Sequence, residues 1–95
     1  MMDTKITITP GQTTNLIKLN PDASDFVIMD IRPKNGTSIY VSYIDKENRC
    51  EGLCGGTERT FDIRRPLFKQ KGYDFIAVRF SCQSNEKISF TFRQL

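Results

Sequence analysis

Residues 87–93 read Lys-Ile-Ser-Phe-Thr-Phe-Arg, so Ile88, Phe90 and Phe92 alternate with Lys87, Ser89, Thr91 and Arg93. A period of two belongs to a strand with one dry and one wet face, because successive side chains leave a strand on opposite sides. The preceding run, residues 72–82, places Ile76, Val78, Phe80 and Cys82 on one side and Phe75 and Ala77 on the other. A strand apolar on both sides is a central strand. The chain is therefore expected to be all-β.

The rest of the sequence supplies more strands. Lys5-Ile6-Thr7-Ile8-Thr9 alternates and stops at Pro10-Gly11, where proline fixes φ and glycine supplies a positive one. Residues 14–19 read as a second short strand, closed by Asn20-Pro21-Asp22. Residues 26–32 and 38–44 flank Pro33-Lys34-Asn35-Gly36-Thr37, a hairpin signal. A three-residue loop of Lys34, Asn35 and Gly36 would set Ile31 opposite Ile39, Met29 opposite Val41 and Val27 opposite Tyr43, giving one apolar face. The same stretch, Asn35-Gly36-Thr37, matches a glycosylation sequon, read here as a coincidence with turn chemistry. Residues 45–57, with three glycines and few apolar side chains, read as a long surface loop. Residues 58–63 give a fifth strand with Phe61 and Ile63 on one side, ended by Arg64-Arg65-Pro66. No stretch has sustained helical periodicity.

Residues 1–95 are thus expected to form one domain, a single seven-stranded antiparallel β-sandwich, immunoglobulin-like or jelly-roll-like. A chain of 95 residues hides roughly 60 to 65% of its unfolded surface, enough for one modest core. The opening Ile-Thr-Ile-Thr-Pro-Gly-Gln-Thr (residues 6–13) and the later Lys-Gly-Tyr-Asp-Phe-Ile-Ala-Val-Arg (residues 71–79) resemble the first and sixth strands of immunoglobulin-like domains. That resemblance implies that Tyr73 anchors a corner through its hydroxyl. Phe75 stands where an antibody domain has its second cysteine, and the chain has no tryptophan. The pattern is closer to cysteine-independent relatives, and it resembles small accessory (auxiliary or decoration) proteins of bacteriophage particles.

Much chemistry is excluded by residue type. With no histidine, the chain has no Ser-His-Asp or Cys-His set, no usual base near neutral pH and no imidazole metal ligand. The acids are scattered without a pair placed to raise a pKa. An enzyme is not expected. Cys50-x-x-x-Cys54 hints at a thiolate metal knuckle, but Cys82 with Glu51 or Glu58 would complete four ligands poorly. The three cysteines are read as reduced thiols, and no metal or cofactor is expected. Cys54-Gly55-Gly56-Thr57 lacks the spacing and lysine of a phosphate loop. The start, Met1-Met2-Asp3-Thr4-Lys5, has neither the bases nor the apolar stretch of a signal peptide, and no apolar run approaches the roughly 18 residues of a membrane helix. Synthesis in the cytoplasm is expected, without a membrane partner.

Charge gathers in one place. The net charge is +3, yet residues 59–71 carry Arg59, Arg64, Arg65, Lys69 and Lys71 against Asp62 alone. Phe61, Phe68, Tyr73 and Phe75 interleave with these cations. One reading is a solvated connection whose Leu67 and Phe68 cap the sandwich. The other is an anion-facing contact, with Arg59, Arg64, Arg65, Phe68, Lys69 and Lys71 as its partner-binding residues. The expectation is a non-enzymatic structural protein that contacts other subunits of a larger assembly through loops and this basic edge, most concretely an auxiliary protein of a viral particle. The alternatives are a nucleic-acid-binding small β-barrel that would stack bases on its aromatics and a small cytoplasmic protein inhibitor.

Overall fold

The structure, a computed structural model, describes residues 2–33 and 38–95, with residues 2 and 51–54 described by their backbone alone. Among the described residues the chain is all-β apart from one short helix. In order it forms β1 (Met2–Ile8), β2 (Ile17–Lys18), β3 (Asp25–Arg32), β4 (Ile39–Asp45), β5 (Cys50–Gly56), β6 (Arg59–Asp62), α1 (Arg65–Gln70), β7 (Phe75–Cys82) and β8 (Ile88–Gln94). One four-stranded sheet has the order β1-β8-β3-β6 and the other β2-β7-β4-β5, with every pairing antiparallel.

Eight strands in this order make a jelly roll, a sandwich of two interleaved Greek keys. The immunoglobulin-like alternative is corrected by the same order. There, consecutive strands pair within a sheet; here β1, β2, β3 and β4 alternate between sheets, and the β4–β5 pair is the hairpin. The expected hairpin between residues 26–32 and 38–44 is corrected for the same reason, since β3 pairs with β6 and β8 while β4 pairs with β5 and β7. Its turn and the sequon within it lie outside the described residues. The apolar faces of these two strands meet across the sandwich instead of side by side.

The core follows the alternation where the ladder is regular. Ile6 and Ile8 of β1 stand opposite Phe90 and Ile88 of β8, and all four are buried. Phe80 of β7 crosses between the sheets, edge-on to Phe90 at 5.0 Å and to Phe92 at 5.3 Å between ring centres. Phe26 of β3 meets Phe92 at 5.3 Å and stacks on Phe61 of β6 at 5.0 Å. Edge-to-face pairs of this kind add about 0.5–1.5 kcal/mol each beyond area burial.

Two bulges alter the faces. In β3 the ladder shifts between Met29 and Arg32, and Asp30 takes φ 55°. Phe26, Ile28 and Ile31 are therefore the buried set, whereas Val27 and Met29, expected inside, are half-buried. The Ile31 N–H that the shift frees donates to Glu58 Oε1 at 3.0 Å. In β7, Ala77 pairs with Ile44 and Phe75 with Asp45, so Ile76 has no partner on β4. Phe75 turns inward at 2% exposure, and Ile76, expected inside, is 47% exposed.

The long loop expected over residues 45–57 is also corrected. Residues 50–56 are strand β5, and the connection from β4 is a tight turn. Asp45, whose side chain is fully buried, caps that turn by accepting the Glu47 N–H at 3.1 Å and the Arg49 N–H at 2.7 Å. Carboxylate capping of successive backbone donors replaces the ladder where the chain reverses.

The packing makes a direct comparison. Phe80→Ala, at a fully buried crossing point, should lower unfolding free energy by about 3–5 kcal/mol. Ile76→Ser, on the outer side of the same strand, should change it by less than about 0.5 kcal/mol. Denaturant titration of both variants checks this; equal losses would contradict the bulged register of β7.

Candidate basic groove at the helix

The basic segment folds as strand, reversal and helix. On β6, Phe61 points into the core beside Phe26 while Arg59 lies exposed with its guanidinium 4.2 Å from the centre of the Phe61 ring. Ile63, just after the strand, is fully buried. Arg64 then takes φ 55° and ψ 40°, and its N–H donates to Asp62 Oδ1 at 2.8 Å. This side-chain turn redirects the backbone. Pro66 sits in the first turn of α1, where a missing N–H costs no helical bond. The helix ends at Gly72, whose φ of 89° favours glycine; its N–H reaches Lys69 O and that of Tyr73 reaches Phe68 O. The absence of helical periodicity in the sequence agrees with the brevity of α1, which buries no residue fully.

Two arginines fix this unit against the sandwich. Arg65 donates to three backbone carbonyls: from Nε to Ala23 at 2.7 Å, from Nη1 to Phe75 at 2.9 Å and from Nη2 to Asn20 at 3.0 Å. It ties α1 to the β2–β3 turn and to the start of β7. Arg49 donates from Nε to Asp45 Oδ2 at 2.7 Å and from Nη2 to Gly72 O at 3.0 Å, and its guanidinium lies 4.5 Å from the centre of the Tyr73 ring. The Lys46 N–H adds a bond to Asp74 O at 2.9 Å. The β4–β5 turn thereby holds the segment joining α1 to β7. Phe68 completes the attachment, edge-on to Phe75 at 5.1 Å and packed against the core.

Burial raises the Asp45 pKa, but the Arg49 N–H, the Arg49 guanidinium and the Glu47 N–H together hold it below the ordinary 3.8. Asp3 is likewise lowered by its bidentate pair with Arg93, directly across β1 and β8. Both groups favour folding while ionised.

Between α1 and the β2–β7 edge lies a groove of about 600 Å³. Leu19 and Phe75 are buried at its floor, and Pro21, Pro66, Tyr73 and the bulged Ile76 form apolar walls. Lys18 and Lys69 supply cationic side chains and Asp74 an anionic one, with Arg65 behind. The volume falls within the roughly 300–1,000 Å³ of ordinary ligand clefts.

Of the six residues expected to bind a partner, Arg65 and Lys69 line this groove. Arg64 and Lys71 lie exposed at the two ends of α1, and among the described residues neither is ion-paired. Lys71 Nζ stands 5.8 Å from the centre of the Phe68 ring. Arg59 remains on β6 beside Phe61, and Phe68 faces the core. Of the aromatics that interleave in sequence, Phe61 and Phe75 are packing groups at 3% and 2% exposure, and Phe68 and Tyr73 are half-buried. Lys18, Leu19, Pro21, Asp74 and Ile76 escaped the sequence reading, because the groove joins segments some fifty residues apart and depends on the β7 bulge. Tyr73, expected at a corner, precedes β7 and stacks on Phe75 at 6.4 Å.

Cys50 is exposed and Cys82 half-buried, both as free thiols, and burial raises the Cys82 pKa. The Cys54 side chain lies outside the described residues. Among the described residues no three His, Cys, Asp or Glu side chains come together to hold a metal ion, and no helix is long and apolar enough to cross a membrane.

The fold and groove define an eight-stranded jelly roll with one basic, partly apolar end. No protein-family model matches the chain, and no curated protein matches it. Among solved structures it is similar to a de novo designed double-stranded β-helix studied in solution by NMR, at 18% sequence identity and a TM-score of 0.53 over the whole of both chains. At this identity the likeness concerns the fold.

Two outcomes follow from the arginine geometry. Arg65→Ala should destabilise the protein by about 1–3 kcal/mol, through three carbonyls left without their charged donor, and Arg64→Ala by less than about 0.5 kcal/mol. Denaturant melts compare them, and equal effects would contradict the clamp. The carboxylates set a pH dependence. A lowered folded pKa gives stability that is complete above the unfolded carboxylate value and lost as pH falls through the folded one, so the melting temperature should drop below about pH 4. Asp45→Asn should melt lower at pH 7 and show a shallower acid slope; parallel slopes would reject the linkage.

Proposed function

We propose that this chain is a non-enzymatic interaction protein, a small auxiliary or decoration subunit of a viral (bacteriophage) particle, which holds neighbouring protein subunits through the basic end formed by α1. The observation that carries this reading is the presentation of Arg64, Lys69 and Lys71 on a helix whose own attachment uses other residues. Arg65 and Phe68 anchor α1, so the remaining cations are presented outward on a rigid support. Fixed cations around an apolar centre suit recognition of an acidic protein surface. The jelly roll adds support as an analogy, since this architecture recurs in viral capsid domains. Burial of Phe61 and Phe75 removes two of the four rings that a single-strand nucleic-acid site could stack on, which favours the protein-contact reading.

Sedimentation of the native source material should find the chain in a large particle that resists nuclease. A nuclease-sensitive complex would support the nucleic-acid alternative, and a small heterodimer the inhibitor alternative; either would overturn the assembly reading. Arg64→Glu combined with Lys71→Glu should reduce incorporation into the particle by tenfold or more, on the order of two reversed surface contacts, without lowering the melting temperature appreciably. Replacing Arg65 would confuse the test, because its loss weakens the fold.

A further inference from the structure

We infer that the groove between α1 and the β2–β7 edge is a docking site for an extended acidic peptide segment carrying an apolar side chain, contributed by a neighbouring protein. This deepens the proposed assembly role and rests on it. Charge complementarity selects the occupant. Lys18 comes from β2 and Lys69 from the last turn of α1, and the wall between them is apolar. Neither lysine makes an ion pair among the described residues. Asp74 is the one acid of the lining, and Arg65 adds a third cation at the back.

The apolar requirement comes from Ile76. A residue on the second strand of a four-stranded sheet is ordinarily polar when it faces out, yet here the β7 bulge presents an isoleucine at 47% exposure beside Pro21 and Pro66. Its carbonyl is already used, accepting the Leu19 N–H at 2.8 Å. Strand addition at this edge is also closed, because Gln94 of β8 covers the backbone beyond β2: its Nε2 donates to Lys18 O at 3.2 Å and its Oε1 accepts the Asn20 N–H at 2.6 Å. Recognition therefore runs through side chains: an apolar group on Ile76, Pro21 and Pro66, and flanking carboxylates toward Lys18 and Lys69. Purely apolar occupants would leave the lysines unmatched, and basic ones would oppose them.

The rigid walls make the site preformed. Arg65 sets the spacing of α1 from the β2–β3 turn, Arg49 holds Gly72 and Tyr73, and the Lys46 N–H holds Asp74 O. A peptide binding here orders itself without also ordering the protein.

The test uses the whole isotope-labelled chain and three capped hexapeptides, of alternating Glu and Leu, Lys and Leu, and Glu and Ser. Amide chemical shifts should move with the Glu–Leu peptide and cluster at Lys18, Leu19, Lys69 and Ile76. Binding should weaken with added salt and fall about tenfold in the double variant Lys18→Gln, Lys69→Gln. The Lys–Leu and Glu–Ser peptides should bind at least tenfold more weakly. Equal binding of the Lys–Leu peptide, shifts centred elsewhere, or no shifts at millimolar Glu–Leu peptide would overturn the inference. Incorporation of the same double variant into the native particle separates the two readings. If wild type and variant are both incorporated equally, the groove inference falls and the assembly role stands. If wild type is not particle-bound, the assembly role itself falls.

Discussion

Phe80 is a crossing point between the two sheets. Its ring stands edge-on to Phe90 and Phe92, and through Phe92 it reaches Phe26 and then Phe61. Each of these rings belongs to a different strand or to alternate positions of β8, so the cluster ties β3, β6, β7 and β8 together directly. A jelly roll whose consecutive strands alternate between sheets makes few local contacts, and its chain ordering must be offset by long-range burial. A core of interlocking rings supplies large buried area with few rotatable bonds, which lowers the entropy lost per unit of surface removed from water.

That core decides where function can reside. By consuming Phe61 and Phe75, it leaves the basic segment without the exposed rings that its sequence suggests. By anchoring Phe68, it makes α1 a fixed platform. The two arginine clamps then divide the cations into structural and available sets. Arg65 and Arg49 hold carbonyls and a buried carboxylate; Arg64, Lys69, Lys71 and Lys18 make no ion pair among the described residues. A guanidinium suits the first task because its planar fork spreads donors in fixed directions from three nitrogens, whereas the three donors of a lysine share one compact ammonium.

How much of this was legible in the sequence depended on whether burial alone determined a residue's side. The alternation of residues 87–93 placed Ile88, Phe90 and Phe92 correctly, and all three are fully buried. Strand β5 carried no such signal, because three of its seven positions are glycine and its existence depends on pairing with β4. There Gly55 is needed for a close approach: a Cβ would stand 2.9 Å from Tyr40 Cδ1. Glycine thus marked a packed strand where it suggested a loop. The α1 helix was hidden for another reason. Six residues cannot establish a helical period, and its stability comes from Arg65 and Phe68 contacts with distant segments.

The bulges carry the same lesson into the site. A strict period of two would place Ile76 in the core with Val78 and Phe80, and would leave Phe75 on the outer side. Skipping Ile76 in the ladder restores Phe75 to the core beside Tyr43, Phe68 and Tyr73. The same shift sends Ile76 outward into the groove that Pro21 and Pro66 also line. Packing of Phe75 and exposure of Ile76 are therefore one structural event, which a regular strand would lose at both ends together. Placing an apolar wall beside Lys18 and Lys69 thus follows from how the core is closed at this end of the sandwich. The groove persists as long as Phe75 is buried, so its shape is tied to the stability of the fold and does not depend on a flexible loop.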